Sequence, residues 1–436
     1  MKVTVFKEIG NFLPKNNIER EILSKIIPWL HEKEIIVLLG TRQTGKTTLI
    51  FQIIKKLLSN DIKDEIYYFN LDFLDDAEFF KNTEKITNLA LKKNNKKFIL
   101  IDEVQRIRDA GMFLKYLYDL NLPIKIIVSG FGSLELKSRI SEPLAGRKIS
   151  FNIFPFNVKE TKVALAATSD HSSTDRFSSQ LFNKAFELLT TYGGYPSVVL
   201  TSDIDKRSAR LNEIYTSYLE KDIKNFLEIK NEQAYSNLVT IFSSSIGNIL
   251  NKNEISNTLS IHLNTLENYI YYLEQTFIID IVKPFFRNTR KEIVKSPKIY
   301  FNDIGIRNFA IKNFNNLNIR PDKGYIFENF IYLVLKESLT SAQKINFWRT
   351  KSGAEVNFVI QDGLKISPIE VKAKYFKGPA VSPALRSFIN TYRPERAFIV
   401  NFNLDAEVII EKCQVDFVST EKFISPPLVP PLEKQV

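Results

Sequence analysis

Apolar runs and amphipathic segments alternate along the first 160 residues of the chain. Residues 35–39 form an unbroken apolar run, which is typical of a strand buried on both faces. Strand-like runs recur at 66–69, 98–101, 124–128 and 150–154. The first run is followed by apolar residues at helical spacing, namely Leu49, Ile50, Ile53, Ile54, Leu57 and Leu58. Because strands that alternate with helices pair in parallel through crossover helices, the pattern predicts an α/β fold with a parallel sheet over residues 1–160.

Three further segments with different patterns follow. Residues 161–232 begin with a small, polar stretch and continue as helical segments, so they are predicted to be a linker and helical region. Residues 233–312 carry three helical segments and then two strand-like runs, which is the order of a winged-helix domain. Residues 320–436 begin with an amphipathic helix and continue as strands, which predicts a second α/β domain.

Composition limits the classes of protein to consider. Of 436 residues, 44% are hydrophobic and 25% are charged, a globular composition that argues against disorder. The one cysteine, Cys413, excludes an internal disulfide framework, and three histidines far apart in sequence argue against a Cys/His zinc site. No apolar run reaches the ~18 residues of a membrane helix, and the first residues have no signal-peptide pattern. We therefore expect a cytoplasmic protein with no membrane partner.

The charge balance is basic. Lys and Arg number 60 against 49 Asp and Glu, which leaves a net charge of +11. This excess suits an anionic partner such as nucleic acid or a nucleotide. A composition rich in Lys, Ile and Asn explains the excess equally well, so charge alone leaves both interpretations open.

Residues 40–47 fit the phosphate-loop pattern G-x-x-x-x-G-K-[ST]. The backbone N–H groups of such a loop wrap a phosphate, so side chains at Gly40 and Gly45 would obstruct it. The Lys46 ammonium would reach the β- and γ-phosphates, and the Thr47 hydroxyl would ligate Mg²⁺. The predicted ligands are ATP and Mg²⁺. The predicted nucleotide-binding residues are Gly40, Thr41, Arg42, Gln43, Thr44, Gly45, Lys46, Thr47 and Thr48.

Polar residues also stand at the ends of two later predicted strands. Asp102 follows an apolar run, where its carboxylate would hold Mg²⁺, and Glu103 is the candidate base for the attacking water. Ser129 ends the next strand, either as a sensor of the γ-phosphate or as an ordinary turn residue. Arg147 is either an arginine finger, acting within the chain or on a neighbouring copy, or a surface arginine.

These motifs resemble those of the AAA-family ATP-binding proteins of bacteria and archaea. They are most similar to the group whose chain continues into a restriction-endonuclease-like domain of unknown function. The resemblance covers most of the chain and includes residues 40–48, 100–105, 129–133, 144–147, 154–156, 193–196 and 218–223. It implies a P-loop NTPase fold followed by a helical and winged-helix region and a restriction-endonuclease-like domain, but no particular biological role.

The segment 283–298 is strongly basic and would form the wing of the winged-helix domain. It has a single acid, Glu292, and the candidate nucleic-acid contacts are Lys283, Arg287, Arg290, Lys291, Lys295 and Lys298. A wing lying on DNA phosphates is the functional interpretation. The preceding helix, 262–275, has no Lys or Arg, which favours backbone binding or a protein contact over base recognition.

The carboxyl-terminal segment resembles nucleases of the PD-(D/E)XK type, which hold Mg²⁺ on a helical Glu, a strand Asp and an E-x-K strand. The matching residues are Glu328 on the helix and Glu370 and Lys372 on the strand. The pattern's Asp is replaced by Asn357, a neutral ligand, although Glu355 projects to the same face and partly substitutes. Either a metal site survives, which Asn357→Asp would strengthen, or the fold is a degenerate nuclease retained for binding.

Taken together, the sequence predicts an AAA-family ATPase that acts as a nucleotide-driven switch or remodeller and contacts nucleic acid. Two alternatives stay open. One is an ATP-gated, metal-dependent nuclease. The other is a slow-turnover, nucleotide-gated module that binds a protein partner or another copy of itself.

Overall fold

A computed structural model of the chain describes residues 4–5, 13–14, 17–59, 65–91, 96–131, 143–167, 175–218, 229, 231–287, 292 and 295–424. Two of the predicted nucleic-acid contacts, Arg290 and Lys291, lie outside the described residues. So do 132–133 and 219–223, which contribute to the family resemblance.

Strands and helices are numbered in chain order. The strands are β1 (Thr4–Val5), β2 (Ile35–Gly40), β3 (Glu65–Asn70), β4 (Lys97–Asp102), β5 (Ile124–Phe131), β6 (Lys148–Asn152), β7 (Ile279–Pro284), β8 (Lys298–Phe301), β9 (Gln343–Arg349), β10 (Glu355–Asp362), β11 (Lys365–Val371), β12 (Arg396–Asn401), β13 (Ala406–Ile410) and β14 (Cys413–Ser419). The α-helices are α1 (Ile22–Ile26), α2 (Lys46–Ser59), α3 (Leu74–Phe80), α4 (Thr83–Leu91), α5 (Ala110–Asp119), α6 (Val158–Ala167), α7 (Asp175–Thr191), α8 (Pro196–Val199), α9 (Ile204–Ser217), α10 (Glu232–Ser244), α11 (Lys252–Leu259), α12 (Leu263–Gln275), α13 (Ile304–Ala310), α14 (Lys323–Ser338), α15 (Pro383–Tyr392) and α16 (Thr420–Ile424). Short 3₁₀ helices lie at Ile27–Leu30, Val104–Arg106 and Leu317–Ile319. Within the described ranges, no helix has both the length and the apolar character that a bilayer crossing requires.

The chain forms two units, each built from segments that are not consecutive. The first unit contains Met1–Ser169, Tyr195–Glu232 and Ile270–Ile278, and the second contains Asp170–Gly194, Gln233–Tyr269 and Ile279–Val436. Segments of the two units therefore alternate along the chain, so neither unit coincides with one of the successive domains predicted from sequence.

The first unit is organised around a six-stranded sheet with the order β1-β3-β4-β5-β2-β6. Strands β3, β4, β5, β2 and β6 are parallel, which confirms the predicted parallel α/β sheet, and β1 pairs antiparallel with β3. Ile35, Val37 and Leu39 of β2 pack into one core, and Ile36 and Leu38 pack into the core on the opposite face. Because the strands are parallel, the carboxyl ends of β2, β4 and β5 meet at one edge of the sheet.

The second unit contains an eight-stranded mixed sheet with the order β13-β14-β12-β11-β10-β9-β7-β8. The hairpin β7–β8 joins it because β7 pairs in parallel with β9, with Lys283 opposite Asn346. Three helices and this hairpin follow one another as the sequence predicts, but the hairpin also joins the carboxyl-terminal sheet, and the separate winged-helix domain over 233–312 stays a prediction. Tyr300 of β8 is buried and stacks on Tyr332 of α14 with ring centroids 4.7 Å apart, so this edge strand is covered by α14.

Candidate nucleotide site

The phosphate loop follows β2 and ends where α2 begins. A Cβ at Gly40 would lie 2.3 Å from the carbonyl oxygen of Ile153, so only glycine fits there. Gly45 has a φ of +89°, a conformation that favours glycine. The Lys46 side chain is buried, and its Nζ donates hydrogen bonds to the carbonyl oxygens of Gly40, at 3.0 Å, and Thr41, at 2.8 Å. The loop geometry therefore positions the lysine charge against the loop backbone, at the amino terminus of α2.

Asp102 lies at the carboxyl end of β4, directly beside the phosphate loop. Its Oδ2 accepts a hydrogen bond from the Thr47 hydroxyl at 2.6 Å and another from the Tyr68 hydroxyl at 3.3 Å, and its Oδ1 accepts one from Ser129. Burial, together with the charge of Asp102, raises the pKa of Tyr68 far above its ordinary value, so the phenol is a hydrogen-bond donor. A hydroxyl and a carboxylate oxygen at this separation fit the oxygen ligands that Mg²⁺ prefers.

Glu103 is held in a constrained backbone conformation at the same edge. Its φ of +59° is unusual for a residue with a side chain, and its backbone N–H donates to the Ser129 hydroxyl at 3.5 Å. The Gln105 side-chain Nε2 donates to the Glu103 carboxylate. The side-chain Oε1 of Gln105 accepts from the backbone N–H of Phe131 at 3.3 Å. Gln105 thus ties Glu103 to the end of β5. Gln105 belongs to the segment 100–105 that supports the family resemblance, but nothing in the local pattern indicates its role.

Arg20 supports the phosphate loop from a position that sequence analysis missed. Its guanidinium donates to the carbonyl oxygens of Thr44 and Phe154, both at 2.7 Å, and to the Glu160 carboxylate at 2.9 Å. The side chains of Arg20 and Glu160 are only 5% and 4% exposed, so the ion pair is internal. A lone arginine 26 positions before Lys46 carries no local signal, because its partners are distant in sequence.

The Gly-Gly-Tyr-Pro motif at 193–196 also contributes to the loop. The hydroxyl groups of Tyr195 and Thr41 are 3.1 Å apart, and Ser197 donates to the Gln43 side chain at 3.4 Å. From sequence, this motif is only one part of the family resemblance. Its tyrosine is buried against the loop, and this placement could not be read from the local pattern.

Arg147 does not join the other predicted catalytic residues within the chain. It precedes β6, and its carbonyl oxygen accepts a hydrogen bond from Ile35 at the start of β2, whereas the phosphate loop follows the end of β2. Its guanidinium donates to the Asp119 carboxylate at 2.9 Å. An arginine-finger role within the chain is therefore wrong, and a role on a neighbouring copy stays a prediction.

The predicted basic wing separates into exposed and buried members. Lys283, Arg287 and Lys295 are exposed. Lys298 is different, because its side chain is 1% exposed and its Nζ lies beside the carboxylates of Glu328, at 3.2 Å, and Glu355. Burial lowers the pKa of Lys298, but the two carboxylates outweigh burial and raise it above the ordinary value. Lys298 is thus an internal cation, and its predicted contact with nucleic acid is wrong.

The predicted nuclease residues lie in two small groups in the second unit. In the first group, the Asn357 amide donates to Glu328 at 2.6 Å and accepts from the backbone N–H of Val371 at 2.9 Å. In the second, Lys372 pairs with Glu370 at 2.8 Å, and Ser382 donates to the same carboxylate at 2.9 Å. The residues that the structure describes contain no cluster of three or more His, Cys, Asp or Glu side chains arranged to hold a metal ion.

Three family models match successive parts of the chain. Residues 32–162 match an AAA domain, residues 183–317 match a domain of unknown function (DUF8612), and residues 323–421 match another domain of unknown function (DUF4143). The first match and the parallel sheet with its phosphate loop show an AAA-type P-loop fold, which binds nucleotides. The other two models name no activity.

Two curated relatives are described as uncharacterized proteins. An uncharacterized protein of Methanocaldococcus jannaschii is 27% identical over 353 residues, which cover 79% of this chain and 75% of that protein. An uncharacterized protein of Mycobacterium tuberculosis is 25% identical over 385 residues, covering 87% of this chain and 79% of that one. Among solved structures, a Walker-type ATPase of Pyrococcus abyssi aligns with a TM-score of 0.46 and 14% identity, over 70% of this chain and all of that one.

Proposed function

We propose that the chain binds ATP with Mg²⁺ at the phosphate loop, hydrolyses it, and uses the cycle as a switch or remodeller that contacts nucleic acid. One observation carries the ATPase part of this proposal. Thr47, Asp102, Glu103 and Ser129 come from three separate segments, and the fold brings them together beside Lys46 at one edge of the sheet.

Each side chain at this edge has a separate role in hydrolysis. Lys46 and the first turn of α2 offset the charge of the β- and γ-phosphates. Thr47 and Asp102 would hold Mg²⁺, which when bound supplies further charge neutralisation. Glu103 orients and polarises the attacking water, and Gln105 keeps that carboxylate in place through the end of β5. Ser129, which donates to Asp102, is placed to respond to the γ-phosphate.

The nucleic-acid part of the proposal depends on charge. The chain is +11 overall, and Lys283, Arg287 and Lys295 are exposed within one short segment. Such cations bind phosphates without reading the base sequence. The paired state of Lys298 gives the nuclease alternative no support.

The ATPase part is tested by equilibrium ATP binding and phosphate release with Lys46→Ala, against Lys55→Ala, which removes an exposed lysine from the same helix. Loss of a charge-assisted contact worth about 1.5–3 kcal/mol should weaken ATP binding roughly 10- to 100-fold in the first variant only. Equal ATP affinity in the two variants would overturn the site assignment.

The nucleic-acid part is tested by adding duplex DNA to the turnover assay. We expect stimulation that declines with salt and is lost in the triple variant Lys283→Ala/Arg287→Ala/Lys295→Ala. The control, Lys55→Ala/Lys56→Ala/Lys85→Ala, removes the same charge from exposed positions of the first unit. Turnover that is indifferent to DNA, or equal loss in both triples, would contradict this part alone.

A further inference from the structure

In the second unit, the carboxylates of Glu328 and Glu355 both face a cation of the chain itself, the Lys298 ammonium. Lys298 reaches from β8 between Glu328 on α14 and Glu355 at the start of β10, and its ammonium donates to both carboxylates. Its side chain is 1% exposed, so these are internal contacts. The resemblance to PD-(D/E)XK nucleases implies a divalent cation held by the helical Glu328, by the residue at position 357 and by Glu370 of the E-x-K strand, with Glu355 as a partial substitute for the missing Asp.

The remaining oxygens of the two glutamates are also occupied by protein donors. The oxygen of Glu328 that contacts Lys298 also accepts from the Tyr300 hydroxyl at 2.5 Å, and its other oxygen accepts from Asn357 at 2.6 Å. The second oxygen of Glu355 accepts from Arg349 at 2.9 Å. Two carboxylates therefore face two cations, Lys298 and Arg349, and this group of four has no net charge. A site that retains a divalent cation needs an excess of negative charge, so these residues do not fit the metal.

Asn357 is suited to this arrangement because an amide has both a donor and an acceptor. Its Nδ2 donates to Glu328, and its Oδ1 accepts from the backbone N–H of Val371 at 2.9 Å. A carboxylate at position 357 would keep the second contact but would place one anionic oxygen against another in the first. Asn357, which stands where the nuclease pattern has Asp, and Lys298 thus both donate hydrogen bonds to Glu328.

We propose that the Lys298 ammonium permanently takes the place of a divalent cation between Glu328 and Glu355, so that this pair of carboxylates binds no metal. It follows that Asn357→Asp alone does not create a metal site, contrary to the expectation from sequence. Removal of Lys298 and addition of a carboxylate at position 357 are both required. This inference does not depend on ATP hydrolysis by the first unit.

Manganese binding to the full chain tests the proposal, measured as the loss of the free Mn²⁺ signal in electron paramagnetic resonance. Each variant carries Asp102→Asn to remove the metal ligand of the nucleotide site. We expect no Mn²⁺ site in this parent or with Asn357→Asp, and one Mn²⁺ site in the variant that carries both Asn357→Asp and Lys298→Met. Addition of Glu328→Gln to that variant should abolish the site.

Each result supports or overturns the proposal. A Mn²⁺ site in the parent that Glu328→Gln removes would overturn it, and so would a site gained by Asn357→Asp while Lys298 is present. A folded Lys298→Met/Asn357→Asp variant that binds no Mn²⁺ would also overturn it. Should Lys298→Met fail to fold, the parent and Asn357→Asp chains, which both retain Lys298, still decide between the two outcomes.

Discussion

Asp102 and Glu328 are both buried carboxylates, with exposures of 1% and 7%, but their surroundings differ in charge. The donors that the structure gives Asp102 are the hydroxyl groups of Thr47, Ser129 and Tyr68, which are neutral. Glu328 accepts from the Lys298 ammonium as well as from neutral groups. A carboxylate held by neutral donors can still attract a cation, whereas one that is paired with an internal lysine has already lost that capacity.

The largest effect is expected at Glu103, the candidate base of the nucleotide site. Glu103→Gln keeps the side-chain volume but removes the group that polarises water, so kcat for ATP should fall by roughly 10²–10⁴ with ATP binding retained. Single-turnover phosphate release and an equilibrium binding assay measure the two quantities. Glu84→Gln, at an exposed position of α4, serves as the matched control. A Glu103→Gln chain with normal turnover would remove Glu103 from the mechanism.

The paired carboxylates of the second site should matter for stability instead. Lys298→Met leaves Glu328 and Glu355 buried without their cation, so the free energy of unfolding should fall by about 3–5 kcal/mol. Urea denaturation followed by circular dichroism measures the loss. Adding Glu355→Gln removes one unpaired charge and should restore part of the stability. If the double variant were as unstable as the sum of the two single variants, Lys298 and Glu355 would not be energetically coupled.

Asp303 extends the comparison to a carboxylate that is held by backbone donors. It accepts from the N–H groups of Gly194, at 2.7 Å, and Ile306, at 2.9 Å, yet burial dominates and raises its pKa from 3.8 to about 6. A raised pKa means that folding favours the protonated acid. The stability contributed by this group is therefore present at low pH and is lost as the pH rises through about 6, by up to about 3 kcal/mol.

Asp303→Asn tests this pH dependence, because an amide cannot ionise. The free energy of unfolding of the wild-type chain minus that of the variant should become more negative between pH 3.8 and about pH 6 and then level off. Urea denaturation at a series of pH values measures it. A difference that stays constant with pH would show that Asp303 does not titrate with a raised pKa.

The smallest predicted effect concerns the residue that positions Glu103. Gln105→Leu removes both hydrogen bonds that tie this carboxylate to Phe131, so kcat should fall roughly tenfold, or about 1.4 kcal/mol, while the Kd for ATP stays unchanged. Gln105→Glu retains the acceptor for Phe131 but adds a like charge beside Glu103, so its activity should depend on pH. A parallel loss of ATP affinity in both variants would indicate a structural role for Gln105 rather than positioning.

The local sequence pattern determined the amino-terminal fold and its phosphate loop. The unbroken apolar run of β2 predicted a strand buried on both faces, and Gly40, Gly45 and Lys46 marked the loop, because these requirements act on neighbouring residues. Asp102 and Ser129 could be placed at the same edge because the carboxyl ends of parallel strands meet there. Their roles in the reaction stay predictions.

Only the tertiary structure decided the partners of the buried charges. Arg20 pairs with Glu160 across 140 residues, and Lys298 pairs with Glu355 across 57. From sequence, Lys298 is one of six basic residues in a predicted wing, and nothing local separates it from its exposed neighbours. Its side chain lies between Glu328 of α14 and Glu355 of β10 with 1% exposure, and this burial converts a surface cation into an internal one. Local pattern thus determined which strands and loops form, and long-range packing decided which charges face solvent and which face each other.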